Sequence, residues 1–218
     1  MQKGFWAAVM VIAAVSLCSG AQAGTFDFGF TGPGVSGSID LTYGAATDST
    51  YSNAFVVTGI SGSFSDSNIG ILNAPIGMLE PRNFAMPEPG NLLAPNSFSR
   101  FAVAAGLPDV SNGFLTYDNL FWPGGSPPTA SDYPIGGGFL DIYGLLFDIG
   151  GGRVVNFWSN GDLGSGVDYG VAVATSAMSL DYVSGGVVVP EPGSLALLGA
   201  GIALFAAIRC RAARGISL

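Results

Sequence analysis

The 218-residue sequence predicts an all-β domain, either a β-sandwich or a jelly-roll-like fold. An N-terminal signal helix and a short C-terminal transmembrane helix are expected on either side of it. Apolar and polar residues alternate along several short segments, which is the period of half-buried strands. Glycine is abundant, at 34 residues, and clusters between those segments, where turns are expected. No segment between residues 24 and 186 shows a long helical period with capping residues.

The alternation is clearest in the first half of the domain. Phe26, Phe28 and Phe30 are separated by single polar or small residues, and apolar residues recur at every second position over 35–43. Residues 31–34 are the predicted turn between these two strands. A third strand is predicted over 54–64, with a bulge at the glycine in position 59.

The second half is predicted as shorter strands separated by loops. Residues 73–97 contain five prolines, which cannot donate hydrogen bonds to a sheet, and are therefore predicted as a long loop. The three glycines at 150–152 predict a hairpin between strands at 139–149 and 153–159. Further strands are predicted at 114–122, 169–175 and 180–183, so that the domain has eight to ten strands.

Composition excludes several classes of function. The chain has 7 basic and 15 acidic residues, and residues 24–186 hold three arginines against 14 acids, a net charge of −11. A nucleic-acid partner is therefore not expected. There is no histidine, which removes the commonest general base and metal ligand. Cys18 and Cys210 both lie in the terminal segments, so the central domain has no disulfide and depends on its core.

Residues 1–23 have the pattern of a secretory signal peptide. Lys3 precedes an apolar run over 5–17, and Ala21 and Ala23 occupy the two positions that a signal peptidase reads. The run of 13 residues is shorter than the ~20 needed to span a bilayer. Cleavage is predicted after Ala23.

The C-terminal segment is predicted as three parts. Residues 187–194 form a linker with the motif Pro190, Glu191, Pro192 and Gly193. Residues 195–208 are 14 uncharged residues, ~21 Å as a helix, which is short for a transmembrane helix crossing a ~30 Å hydrocarbon core. Residues 209–218 are a basic cytoplasmic tail that would stop transfer, with its charges on Arg209, Arg211 and Arg214. An ordinary C-terminal anchor is the alternative.

The order of signal peptide, Pro-Glu-Pro triplet, short apolar helix and arginine cluster resembles the PEP-CTERM sorting tail of exported proteins in Gram-negative bacteria. The resemblance is confined to residues 190–218 and the signal peptide. It implies processing by an exosortase, a membrane cysteine protease-transpeptidase, after transient anchoring in the inner membrane. It also implies delivery to the cell surface or extracellular matrix, in association with exopolysaccharide and biofilm. A second triplet at 87–89 lacks a following apolar helix and is predicted as a loop.

Two candidate binding features lie in the central domain. Asn160, Asp162 and Asp168 are close in sequence and carry the oxygen ligands that Ca²⁺ accepts, although solvated turn residues have the same composition. No other cofactor is expected. Trp122 precedes a Pro-Gly-Gly loop, where an exposed indole would contact a sugar ring. Burial in the core is the alternative for Trp122 and for Trp158.

We expect a domain that is not an enzyme and that serves as a structural or binding component of the exopolysaccharide layer. The first alternative is a carbohydrate-binding module, which needs exposed aromatic side chains. The second is a carbohydrate-active enzyme, which needs two carboxyl groups ~5–9 Å apart in a cleft. Four acids lie near predicted strand ends, and the sequence leaves open whether any two converge: Asp118, Asp141, Asp148 and Asp162.

Overall fold

The computed structural model describes residues 23–82, 93–95, 115–131, 133–175 and 179–189. These ranges contain eleven strands and no helix, which confirms the all-β prediction. The predicted signal helix and C-terminal helix lie outside the described residues. The strands are β1 (Gly24–Thr31), β2 (Val35–Thr47), β3 (Phe55–Asp66), β4 (Ile71–Pro75), β5 (Leu93–Pro95), β6 (Leu115–Tyr117), β7 (Leu120–Phe121), β8 (Leu145–Asp148), β9 (Val154–Asp162), β10 (Val167–Ala174) and β11 (Ser179–Val187).

The strands form two antiparallel sheets and one small parallel pair. The first sheet has the order β1-β2-β3-β4, and β7 also pairs with β3. The second sheet has the order β11-β10-β9-β8. Strands β5 and β6 pair in parallel. The part of the chain that the structure describes has no helix with the length and hydrophobicity required to cross a membrane.

The first sheet follows the predicted alternation. In the β1–β2 ladder Phe28 lies opposite Ile39, and both side chains are buried. The predicted turn lies between these strands, where Gly34 adopts a φ of 80°, a conformation that glycine adopts without steric cost. The predicted bulge is also present, because the β2–β3 register slips by one residue beside Gly59.

The core lies between the two sheets. Phe157 of β9 is fully buried, and its ring centroid lies 5.6 Å from that of Phe28 and 4.9 Å from that of Phe30 in the first sheet. The same ring stacks on Tyr169 of β10 at 5.5 Å. These separations are typical of aromatic pairs that contribute stability beyond the apolar area they bury. Phe157 therefore joins the two layers at the centre of the domain.

Two predicted strands are shorter in the structure. The segment 114–122 is divided into β6 and β7 by Asp118 and Asn119, and only Leu145–Asp148 of the segment 139–149 forms a strand. Asp118 and Asp141 each accept backbone N–H bonds from residues that follow them in the chain. Such turns divert the backbone from the sheet ladder, and they explain both interruptions.

The predicted linker at 187–194 begins later than expected. Val187 completes β11 opposite Tyr169, and Val188 forms an antiparallel bridge with Thr31 at the end of β1. The folded domain therefore extends past the predicted boundary at residue 186 and includes Val189, which packs against the core. The glycines at 185 and 186 belong to strand β11.

Candidate functional site

The chain leaves the folded domain directly from a hydrogen-bonded strand. The Val188 N–H donates to the Thr31 carbonyl at 2.8 Å, and the Thr31 N–H donates to the Val188 carbonyl at 3.1 Å. Val187 is fully buried, and Val189 packs in part against the core. Pro190 to Gly193 and the three tail arginines lie outside the described residues. Of the predicted signal cleavage residues, Ala21 also lies outside, whereas Ala23 is exposed immediately before β1.

A pair of buried aspartates joins two loops inside the domain. Asp118 follows β6 and Asp141 lies before β8, and their exposed fractions are 1% and 2%. Asp141 Oδ1 accepts the N–H groups of Tyr143 and Gly144 at 3.0 and 3.1 Å. The Gly144 carbonyl in turn accepts the Asp118 N–H at 3.1 Å. Backbone hydrogen bonds therefore fix both carboxyl groups in place.

The two buried carboxyl groups act on each other, and because two neighbouring carboxylates away from water cannot both ionise readily, they favour sharing one proton. Burial raises the pKa of Asp118 well above its ordinary value, and the charge of Asp141 raises it further. Burial also raises the pKa of Asp141, but hydrogen bonds from Gly144 and Thr129 oppose that effect. Asp118 therefore carries the shared proton and donates it to Asp141.

A third aspartate, an arginine and a tyrosine complete this group, which we call the carboxyl cluster: Asp48, Tyr51, Arg82, Asp118 and Asp141. Arg82 Nη1 lies 3.0 Å from Asp48 Oδ2, and its charge also reaches Asp118. Burial opposes ionisation of Asp48, but the Thr50 N–H and Arg82 together lower its pKa. Burial, followed by the charges of Asp141 and Asp118, raises the pKa of Tyr51. No motif in the sequence connects Asp48, Tyr51 or Arg82 with this site.

The two carboxyl groups at the centre of the carboxyl cluster are closed to solvent. Carboxyl pairs that share a proton occur in acid–base catalysis, but there the groups must contact the reacting molecule. Asp118 and Asp141 are buried, and carboxyl groups that share a proton lie closer together than the ~5–5.5 Å of retaining glycosidases. Of the other two candidate acids, Asp148 is the last residue of β8 and Asp162 is the last residue of β9.

The shared proton makes the stability of the folded domain depend on pH, and the sign of this dependence can be derived. Because the folded pKa of Asp118 lies above the unfolded value of about 3.9, the folded state holds a proton that the unfolded chain has released. The resulting stabilisation is complete below pH ~3.9 and is lost as the pH rises through the folded pKa. Because the amide of asparagine does not titrate, we expect Asp118→Asn to remove this dependence of stability on pH. The test is to measure the urea concentration at the unfolding midpoint from pH 4 to 9 for the wild type and for Asp118→Asn. If the midpoints of the two proteins changed with pH in parallel, the prediction would be contradicted.

The predicted calcium ligands do not form one site. Asn160 Nδ2 donates to Asp168 Oδ2 at 2.8 Å and to the Ser184 carbonyl at 2.7 Å, while Asp168 Oδ1 accepts the Gly186 N–H at 2.7 Å. Asp162 lies opposite Val167 in the ladder, and Asp168 lies opposite the residue before Asp162. Since adjacent positions of a strand face opposite sides, Asp162 points away from Asp168. Asp162 and Asp168 therefore do not face each other, and Asn160 and Asp168 link β11 to β9 and β10.

Both mature tryptophans are interior. Trp122 is 0% exposed, and its ring lies 5.1 Å from that of Tyr51. Trp158 is also fully buried, stacks on Tyr182 and donates its indole N–H to Asn160 Oδ1 at 2.9 Å. A buried ring has no face available for a sugar. The structure therefore contradicts the predicted sugar contact at Trp122 and supports the core alternative.

Comparison with known proteins identifies the segment that follows the domain. Residues 188–212 match the PEP-CTERM protein-sorting motif. No curated protein and no solved structure matches the chain. The match confirms the resemblance predicted from the tail, and it begins at Val188, the residue that makes the last described hydrogen bonds of the domain. A motif of this kind implies export and processing by an exosortase.

Proposed function

We propose that this protein is exported as a folded β-domain, residues 24–189, and is sorted to the cell surface by an exosortase that processes the tail. The delivered domain has no enzymatic activity and serves as a structural or binding component of the exopolysaccharide layer. The start of the sorting motif at Val188, the last bridged residue of the domain, carries this proposal. The polysaccharide setting follows from the resemblance of the tail alone.

The short connection between domain and tail has a mechanical consequence. Only residues 190–194 separate Val189 from the apolar segment that starts at Leu195. Five extended residues span at most ~18 Å. If the apolar segment is inserted in the inner membrane, the domain is held against the membrane surface, and the Pro-Glu-Pro triplet is held in the gap where a membrane protease works. The tail thus serves as the sorting signal, and the domain is the part of the protein that is delivered.

The packing of the domain supports a stable, structural role for the delivered protein. Its interior joins two sheets through aromatic contacts and a proton-sharing carboxyl pair, without a cysteine between residues 24 and 189. The acidic pair is closed to solvent, and both tryptophans are used in packing. These features give the domain rigidity, and they support assigning its role to its surface rather than to a catalytic centre.

The two Pro-Glu-Pro triplets provide a matched pair of variants. Replacing 190–192 with three alanines should block processing, so that the chain keeps its tail and accumulates in the inner-membrane fraction. Replacing 87–89 in the same way should leave processing as in the wild type, because no apolar helix and arginine cluster follow that triplet. Immunoblots of fractionated cells report both outcomes.

Equal processing of the two variants would overturn the proposal, as would a wild-type chain that remains in the cytosol. A third variant, with alanine at Arg209, Arg211 and Arg214, keeps the triplet but removes the positive charges that hold the far end of the tail in the cytoplasm. It should reduce the processed fraction without changing the folded domain.

A further inference from the structure

A second pair of carboxyl groups lies where the two sheets meet. Asp66 is the last residue of β3 in the first sheet, and Asp181 lies near the start of β11 in the second sheet. Asn68 bonds both side chains, and the charge of Asp181 acts on Asp66. Neither has an arginine partner among the described residues. Two acidic side chains from different sheets are thus held together without a compensating charge.

One oxygen of this pair is buried and unsatisfied. Asp66 is 0% exposed, and its Oδ1 accepts the Asn68 N–H at 3.0 Å. No N–H or hydroxyl group of the described residues donates to its Oδ2, which is buried. A buried carboxylate oxygen without a partner costs free energy unless a proton or a cation occupies the space before it.

The atoms around this pair are oxygens that can coordinate a cation, or belong to an amide that can turn to present its oxygen. Asn68 Nδ2 bonds Asp181 Oδ2 at 2.9 Å and the Pro33 carbonyl at 3.3 Å, which places the amide of Asn68 and that carbonyl beside the pair. A half-turn of the Asn68 amide would present its Oδ1 in place of its Nδ2. Asp66, Asp181, Asn68 and Pro33 would then supply carboxylate and carbonyl oxygens around one point.

We propose that Asp66 and Asp181 bind a Ca²⁺ ion between the sheets, with Asn68 and the Pro33 carbonyl as further ligands and water completing the coordination. Ca²⁺ accepts six to eight oxygens in flexible geometry, and carboxylates with carbonyls are its usual protein ligands. Mg²⁺ fits less well, because it demands a tight octahedron and retains its water. Zn²⁺ fits poorly because its sites use imidazole and thiolate ligands, and none of these four residues has either.

The ion would tie the exit strand to the rest of the domain. Asp181 belongs to β11, the strand that ends one residue before the sorting motif, whereas Asp66 and Asn68 belong to the end of β3 and the turn after it. A protein exported in the way we propose meets Ca²⁺ outside the cytoplasm, where sites of 10⁻⁴–10⁻³ M affinity are common. Calcium would then stabilise the junction only after export.

The test is a calcium titration of the full-length chain, purified in detergent and treated with EDTA. At pH 7.5, 10 mM CaCl₂ should raise the melting temperature by about 5 °C, whereas 10 mM MgCl₂ should have a much smaller effect. Asp66→Asn and Asp181→Asn should each abolish the calcium response. Asp162→Asn, which changes an exposed turn acid from the earlier candidate set, should keep it.

Two results would overturn the site. The first is a wild-type chain with no calcium response at pH 7.5, where Asp66 is largely ionised because burial and the charge of Asp181 raise its pKa only to about 6. The second is an undiminished response in Asp181→Asn, a half-buried position where an amide should be accommodated without loss of the fold. That variant decides the matter if Asp66→Asn does not fold. Neither result bears on processing of the tail, so the site and the proposed function can fail separately.

Discussion

Replacing Asp141 with leucine is expected to destabilise the domain by about 3–5 kcal/mol. The carboxylate accepts the N–H groups of Tyr143 and Gly144 as well as the proton carried by Asp118. Leucine accepts none of them, and each buried donor left without a partner costs roughly 1–3 kcal/mol. Urea unfolding followed by tryptophan fluorescence measures the loss, because Trp122 and Trp158 are both buried in the folded state.

Asp118→Asn is the matched control for this substitution. Its amide donates to Asp141 as the protonated carboxyl group does, and its Oδ1 can accept the Leu120 N–H that Asp118 Oδ1 now accepts at 3.1 Å. We therefore expect it to change the unfolding free energy at pH 7 by less than about 1 kcal/mol. If Asp118→Asn were as damaging as Asp141→Leu, the assignment of the shared proton to Asp118 would be wrong.

Phe157→Ala is expected to cost about 3–5 kcal/mol, the range for truncating a buried aromatic side chain. The ring is fully buried and contacts Phe28 and Phe30 across the interface between the sheets. No disulfide limits the unfolded chain between residues 24 and 189. Since domains of this kind have total stabilities of about 5–15 kcal/mol, the variant should unfold at a much lower urea concentration or fail to accumulate.

Leu72→Ala provides the comparison at the surface. Leu72 lies on β4 and is 77% exposed, so its truncation removes little buried area. Its expected effect is below about 0.5 kcal/mol. A small loss in Phe157→Ala, comparable with that of Leu72→Ala, would show that the two sheets do not pack through Phe157.

The local features of the fold could be predicted from the sequence because strands and turns have short-range signals. Alternation over Phe26–Phe30 and over 35–43 identified β1 and β2, and the glycines at 150–152 identified the β8–β9 hairpin, where all three adopt positive φ. Each of these signals spans fewer than ten residues. Pairing between sheets has no comparable signal.

The grouping of the acidic residues could not be predicted, because it depends on contacts between residues that are far apart in the sequence. Asp118 and Asp141 lie on separate loops, so their convergence follows from the arrangement of β6, β7 and β8. Closeness in sequence was misleading for the calcium candidates, because the hairpin places Asp162 on the face opposite to Asp168. Asp66 and Asp181 are more than a hundred residues apart and were not considered.

The error at the domain boundary has a similar cause. Gly185 and Gly186 lie just before the predicted linker at 187–194, yet Gly186 adopts a φ of 74° beside an irregular register between β10 and β11. A Cβ atom on Gly185 would contact the Asp168 carboxylate, so that glycine is needed for close packing. Glycine there reflects a bulged strand rather than a loose connection.

The central claim is that the last residues of the chain are a sorting signal and that the β-domain is what is delivered. Mass spectrometry of the protein isolated from its native host tests this most directly. We predict a mature species that begins at Gly24 and lacks residues 195–218, recovered from the cell surface or the matrix. An intact C-terminus on all of the protein, retained in the membrane fraction, would contradict it.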